Sequence, residues 1–308
     1  MDSDISRQVK ITVFTPTYNR AYIIEGLYRS LQRQSFTDFE WLVVDDGSTD
    51  GTEELFQCWK KEDDYFPIRY YKKANGGKCR AINQGLDLAN GELFFTVDSD
   101  DYLTDDALEK VQGWFDDIHD EKIVGIVANR GFSAEETRNY LFDEEYLDKS
   151  LLDIYSFERD GKQVFDGERA FIFYTDFHRR YKCPEFDGEN FMTEAVAWNR
   201  MAHDGYKMRF YNDIIWVFKY REDGLTKAGN AVFLDNPYGY GLWLREKSQF
   251  EGAGFIRRMK LYYTFACELT GKYTTTTISK CIGASKETIR ICLMIHRMLQ
   301  KIRGINDI

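Results

Sequence analysis

Glu92-Leu93-Phe94-Phe95-Thr96-Val97-Asp98-Ser99-Asp100-Asp101 is the stretch on which the reading of this chain turns. Bulky apolar and β-branched residues run together as in a fully buried strand, then stop at three carboxylates within four positions. Carboxylates crowded at the mouth of a low-dielectric core repel one another unless a cation or hydrogen-bond donors sit among them. Hard divalent ions such as Mg2+ or Mn2+ select oxygen ligands of this kind and leave positions free for phosphate. Taken alone, the same residues also suit a solvated turn leading into a helix N-cap. The surrounding chain has to choose between the two.

Working outward, strands and helices alternate with short connections. Val9–Phe14 reads as a strand opening into Thr15-Pro16-Thr17-Tyr18-Asn19-Arg20, and Ala21–Gln34 as a helix with Ile23, Ile24, Leu27 and Leu31 on one face. A second strand, Glu40–Val44, runs into Asp45-Asp46-Gly47-Ser48-Thr49-Asp50-Gly51, where Ser48 or Asp50 suits an N-cap. A third, Ile68–Tyr71, leads through Asn75-Gly76-Gly77-Lys78 to a helix over Cys79–Ala89, with Asn90-Gly91 as a left-handed stop. After the acidic strand come a helix from about Asp105, capped by Thr104, and a fifth strand, Ile123–Ala128. The alternation predicts a doubly wound, largely parallel sheet over residues 8–130. Ligands of such sheets bind at the carboxyl ends of strands, so three polar or acidic loops on that rim point to a ligand site.

Beyond Arg130 the pattern weakens. Residues 130–163 read as loop and short helix, Glu168–Tyr174 as a strand, Thr175–Cys183 as a loop, Asn190–His203 as a helix and Ile214–Tyr220 as a strand. Past Asn236 the chain reads as helical. Its last helix, Ser285–Arg303, places Ile291, Ile295, Met298 and Ile302 on one face and Lys286, Arg290, Arg297 and Lys301 on another. That pattern fits peripheral contact with an anionic membrane surface, and equally a helix docked on its own domain.

Composition narrows the class. The chain has 308 residues, 43% hydrophobic and 16% aromatic, ample material for a core. Its six cysteines form no C-x-x-C pair, which suits reduced thiols in a cytosolic compartment. The polar, acidic start lacks the features of a signal peptide, and no apolar run approaches the ~18 residues a spanning helix needs. Cytoplasmic placement, at most at the inner face of the membrane, is the expectation. Net charge is -10, yet residues 245–308 carry 12 Lys/Arg against 5 Asp/Glu, a local +7. An acidic body argues against a nucleic-acid partner.

The order T-P-T-Y-N-R, V-V-D-D-G-S-T-D-G-T, N-G-G-K-C-R-A-I-N-Q-G-L, A-N-G-E-L-F-F-T-V-D-S-D-D closely resembles the family 2 glycosyltransferases, strongly over residues 9–115 and more loosely over 180–227. The resemblance implies an α/β fold of GT-A type: a doubly wound, mostly parallel sheet flanked by helices, with a helical C-terminal extension. It divides the chain into a nucleotide-sugar-binding half (1–130), an acceptor-binding and catalytic-base half of the same domain (131–235) and the extension (236–308). It further implies a metal-dependent, inverting transfer of a sugar from a nucleotide diphosphate donor, a UDP-sugar foremost, to a hydroxyl of a glycan or lipid-linked glycan.

Residue by residue, the resemblance assigns Thr15, Pro16, Tyr18 and Arg20 to the nucleotide, with core packing the alternative for Tyr18, and Asp46 to the base. Lys78 becomes a cation aimed at phosphate or sugar. Asp98-Ser99-Asp100 becomes the D-x-D motif: Asp100 the direct ligand of Mn2+ or Mg2+, Asp98 on the ribose or the metal's water, Asp101 structural. The general base falls to Glu194 in Thr193-Glu194, six residues before Arg200. Thr193 departs from the family's acid pair there, and Asp187 and Glu189 are nearby alternatives. The segment around Tyr220-Arg221 and Leu225-Thr226-Lys227 resembles a late motif that folds over the donor. Two other readings compete: a non-catalytic glycan or nucleotide-sugar binder of the same fold, and a sugar-1-phosphate nucleotidylyltransferase, for which the first loop lacks a glycine-rich, Arg-bearing turn.

Overall fold

The computed structural model describes residues 9–62, 65–153, 158–159, 162–164, 168–219 and 229–302. The chain separates into two compact units, residues 1–182 with 200–221, and residues 183–199 with 222–308. The late motif around Tyr220 to Lys227 lies outside the described residues.

The first unit is built on β1 (Ile11–Thr17), β2 (Phe39–Asp45), β3 (Ile68–Lys72), β4 (Leu93–Thr96), β5 (Tyr102–Leu103), β6 (Ile123–Gly131), β7 (Leu147–Lys149), β10 (Arg169–Tyr174) and β11 (Lys207–Val217). These form one nine-stranded sheet in the order β3-β2-β1-β4-β10-β6-β11-β5, with β7 paired to β11. A separate ribbon joins β8 (Glu158–Arg159) to β9 (Lys162–Gln163). β1 pairs in parallel with β2 and β4, and β2 with β3, as the alternation predicts. Residues 169–174 instead enter antiparallel between β4 and β6, a long-range pairing that local pattern does not encode.

Strand alternation explains the layers. Ile11, Val13, Trp41, Val43, Leu93 and Phe95 face one side, where Leu27 and Leu31 of α1 (Glu25–Gln32), Phe56 and Trp59 of α2 (Thr52–Glu62), and Leu108 and Val111 of α4 (Ala107–Asp116) complete one core. Phe14, Leu42, Val44 and Phe94 face the other, against Ala81, Ile82 and Leu86 of α3 (Lys78–Leu88). Leu93–Phe95 of β4 is therefore apolar on both faces, as the acidic strand's sequence suggested, whereas β1 and β2 also bury a polar pair, the Thr12 hydroxyl donating to Glu40 at 2.7 Å.

Four local expectations change. The helix after Lys78 ends in an extended Ala89, and Gly91 does not take a left-handed conformation. Gly91 is needed for a different reason: a Cβ there would lie 2.3 Å from the Thr12 backbone nitrogen. Thr104 does not cap α4; its hydroxyl donates to Asp106, the N-cap residue. The described part of 139–155 holds β7 and turns instead of a short helix, and Thr175–Cys183 includes the short α5 (Thr175–His178).

The second unit contains α7 (Ala231–Asp235), α8 (Pro237–Phe250), α9 (Phe255–Leu269), α10 (Thr275–Ile282) and α11 (Lys286–Ile302). Its core gathers Phe265, Ala266, Leu269, Ile278, Ile282, Ile289 and Cys292. α11 thus docks through Ile289 and Cys292, and the stripe containing Ile291, Ile295 and Met298 is exposed. The helix α6 (Ala195–His203) begins later than Asn190 because the Asn236 side-chain oxygen accepts from the Asn190 and Phe191 N–H groups at 2.9 and 3.1 Å, holding that strap outside the helix.

Candidate active site

Because β2, β1 and β4 are parallel neighbours, their carboxyl ends open on one rim. The loops leaving them are tied together there. Asn19 takes a left-handed backbone conformation (φ 53), accepts from the Thr49 N–H at 2.8 Å through its side chain, and donates its own N–H to Ser48 at 2.8 Å. Asp50 accepts from the Ala21 N–H and from Thr52 at the start of α2. Partial burial pushes the Asp50 carboxyl up, and these donors outweigh it and hold it below its ordinary value.

Asp46 joins the second loop to the third. It is buried, one carboxylate oxygen accepting from Lys73 at 2.5 Å and the Gly76 N–H at 2.9 Å, the other from the Gly77 N–H at 2.6 Å. Gly47 makes this joint possible: its φ is 88°, and a Cβ would stand 2.9 Å from the Asn75 nitrogen. With three of about four lone-pair sites used, Asp46 has capacity for one further donor.

The acidic strand end is crossed by cations. Lys78, the first residue of α3, lies 2.9 Å from Asp98, and Arg130 of β6 lies 3.5 Å from it on another side. Burial pushes the Asp98 carboxyl up, but Lys78, Arg130 and Arg20 together hold it below the usual range, so it is ionised at neutral pH. Arg130 was not among the residues singled out from sequence. It also pairs with Asp101 at 2.5 Å and Glu168 at 3.4 Å and stacks over the Trp216 ring, 4.0 Å from its centroid. Asp101 is buried, accepts from Trp216 Nε1 at 2.9 Å, and its carboxyl is pushed up by burial against the pull of Arg130.

The remaining residues fall as follows. Thr15 is fully buried, main chain included, and its hydroxyl accepts from Trp41 Nε1 at 3.0 Å. Pro16 is half-buried, and Tyr18 is 47% exposed, which removes the core-packing alternative for its ring. Arg20 donates to Tyr22 at 2.8 Å. Ser99 is buried and Asp100 half-buried. Thr17 is a further candidate that sequence reasoning passed over: at the end of β1, its buried hydroxyl has no hydrogen-bond partner among the described residues.

No group of three or more His, Cys, Asp or Glu side chains among the described residues forms a metal cage. An all-oxygen pair, Asp98 and Asp100, nevertheless fits a hard cation that takes most of its ligands from phosphate and water. Lys78 and Arg130 supply positive charge beside Asp98 for a diphosphate.

A glycosyl transferase family 2 model matches residues 12–196, more than half of the 308. The chain belongs to glycosyl transferase family 2. Its α/β architecture is of GT-A type, as two solved structures show: the 1–349 portion of Staphylococcus aureus TarS with UDP-GlcNAc (17% identity, TM-score 0.58, 94% of this chain and 92% of that one) and the mannosyltransferase PcManGT of Pyrobaculum calidifontis with GDP-Man and Mn2+ (18% identity, TM-score 0.55, 96% and 81%). Among curated sequences, the GalNAc(5)-diNAcBac-PP-undecaprenol beta-1,3-glucosyltransferase of Campylobacter jejuni is 42% identical over 103 residues, 32% of each chain. This family 2 chain therefore spans about a third of that relative's length.

The family match includes Glu194, which belongs to the second unit. It stands immediately before α6, half-buried, its carbonyl accepting from Ala197 and Trp198. Of the alternatives, Glu189 is buried with both oxygens committed to the Tyr238 and Gly239 N–H groups at the start of α8, at 2.6 and 2.8 Å, and Asp187 is exposed. No described helix is long and apolar enough to cross a membrane.

Proposed function

We propose that the chain is a metal-dependent inverting glycosyltransferase that moves a sugar from a nucleotide diphosphate donor, a UDP-sugar foremost, to a hydroxyl of a glycan or lipid-linked glycan in cell-surface polysaccharide synthesis. The observation that carries the reading is the meeting, on one rim of a parallel sheet, of three interlocked loops with an ionised Asp98 flanked by Lys78 and Arg130. The relatives named above, one bound to UDP-GlcNAc, one to GDP-Man with Mn2+ and one acting on an undecaprenol-linked glycan, support donor, metal and acceptor class. The reaction would run in the cytoplasm, at the membrane face when the acceptor is lipid-linked.

In this mechanism Thr15, Pro16, Tyr18, Arg20 and Asp46 form the nucleoside site, Asp46 through its remaining lone pair. Asp100, with Asp98, would hold Mn2+ or Mg2+, and Asp98 and Ser99 bind the nucleotide sugar. When bound, the cation offsets negative charge developing on the departing diphosphate. Lys78 and Arg130 keep Asp98 ionised and fixed in orientation, and Lys78 adds a cation for phosphate. Glu194 removes the acceptor hydroxyl proton as that oxygen attacks the anomeric carbon opposite the diphosphate, which inverts the centre.

The test is incubation with UDP-, GDP- and dTDP-sugars plus Mn2+, reading nucleoside diphosphate release with and without acceptor glycans. Release from one nucleotide class is expected. Glu194→Gln should abolish transfer while donor binding persists; unchanged turnover would remove Glu194 as base, and no response to any donor would sink the reading.

A further inference from the structure

We infer that the outer face of α9 and α11 is a docking surface for an anionic lipid bilayer. None of its residues is among those assigned to the candidate active site. Within the second unit, α11 is fixed by Ile289 and Cys292 in the core and by His296, whose Nδ1 lies 3.1 Å from the Tyr263 hydroxyl of α9. A second apolar stripe on the same helix has no such cover: Ile291, Met294, Ile295, Met298 and Leu299 are 39–57% exposed. Their i, i+3, i+4, i+7, i+8 spacing puts all five on one face. Normal single exposed apolar residues need no explanation, but a contiguous stripe of five does.

Two further exposed apolar residues stand at the start of α9. Tyr263 meeting His296, with Cys267 and Cys292 also near enough to influence one another, makes the two helices antiparallel, so the start of α9 lies beside the far end of α11. Phe255 and Ile256 stand there, 71% and 84% exposed.

Charge selects the occupant. Lys286, Arg290, Arg297 and Lys301 fall within roughly 60° of arc on α11, bordering the apolar stripe. α9 adds Arg257, Arg258 and Lys260 beside Phe255 and Ile256. The two helices together carry 7 Lys/Arg against 2 Asp/Glu, Glu268 and Glu287, on a chain whose net charge is -10. An apolar stripe edged by cations matches an anionic interface, where acyl chains take the stripe and headgroup phosphates take the cations. A second copy of the same face would instead bring two cationic rims together, which repel.

The test is co-sedimentation of the full chain with vesicles of pure phosphatidylcholine and of phosphatidylcholine in which roughly one-third of the lipid is anionic phosphatidylglycerol. Binding to the anionic vesicles, weakening with salt and weak on the neutral ones, is expected. The double variant Ile295→Glu, Met298→Glu should lose at least about tenfold in partitioning, since it places charge where acyl chains would be. The triple variant Arg290→Gln, Arg297→Gln, Lys301→Gln should lose on the order of 100-fold at low salt, from three cations near the surface. Both sets are exposed, so the thermal midpoint of each variant should match the parent and confirm folding. Failure of the parent to bind anionic vesicles, equal binding by the Glu variant, or a dimer that the Glu variant dissociates without any vesicle binding would overturn the proposal.

Discussion

Asp46 offers a perturbation whose size follows from geometry. Its two oxygens accept from Lys73 at 2.5 Å and from the Gly76 and Gly77 N–H groups at 2.9 and 2.6 Å, and its side chain is 7% exposed. Asp46→Asn keeps the shape but turns an NH2 group toward a donor whichever way the amide lies. One charge-assisted bond is lost and a buried donor faces another, at about 2–4 kcal/mol. For a unit of this size that is a fall of roughly 4–16 °C in unfolding midpoint. The assay is thermal unfolding of the chain without nucleotide, for Asp46→Asn, Lys73→Met and the double variant. Lys73→Met removes the charge that the carboxylate offsets, so the two changes should couple by about 1.5–3 kcal/mol. A midpoint for Asp46→Asn within 1 °C of the parent would refute the view that Asp46 bolts the loops together, and would leave it only a ligand contact.

Two further outcomes follow from packing. Gly91→Ala should destabilise the first unit by about 3 kcal/mol or more, because the new Cβ meets β1 backbone that cannot step aside; urea unfolding checks this, and a loss below about 1 kcal/mol would contradict it. His178 lies between Phe94 and Phe173, and burial pushes its pKa down to about 3. Between an unfolded value near ~6.5 and the folded one, the unfolded chain binds the extra proton, so this residue makes stability fall by about 1.4 kcal/mol per unit as pH drops through that window and leaves it flat above. His178→Phe should remove that slope between pH 4 and 6 in denaturant titrations, and parallel curves for the two proteins would argue against a neutral buried imidazole.

The rim was legible because its signals are local. Three strands ending in T-P-T-Y-N-R, D-D-G-S-T-D and D-S-D-D need only be neighbours to make a site, and alternation of strand and helix makes them neighbours. What stayed hidden depends on distance in sequence. Arg130 sits at the end of a strand, and nothing nearby announces that it bridges Asp98, Asp101 and Glu168. The antiparallel entry of residues 169–174 and the delayed start of α6, set by Asn236, are likewise long-range events. α11 carries apolar residues on two faces, so periodicity could identify an amphipathic helix without saying which face is buried.

The most direct measurement of the central claim is calorimetric titration of UDP into the chain with Mn2+ and again in excess EDTA, for the parent and for Asp100→Asn. The account predicts binding that requires Mn2+ and weakens at least about tenfold in Asp100→Asn, since one of the cation's few protein ligands is lost. Binding equally tight in EDTA, or unaltered by Asp100→Asn, would contradict a metal held by Asp98 and Asp100 at this strand end.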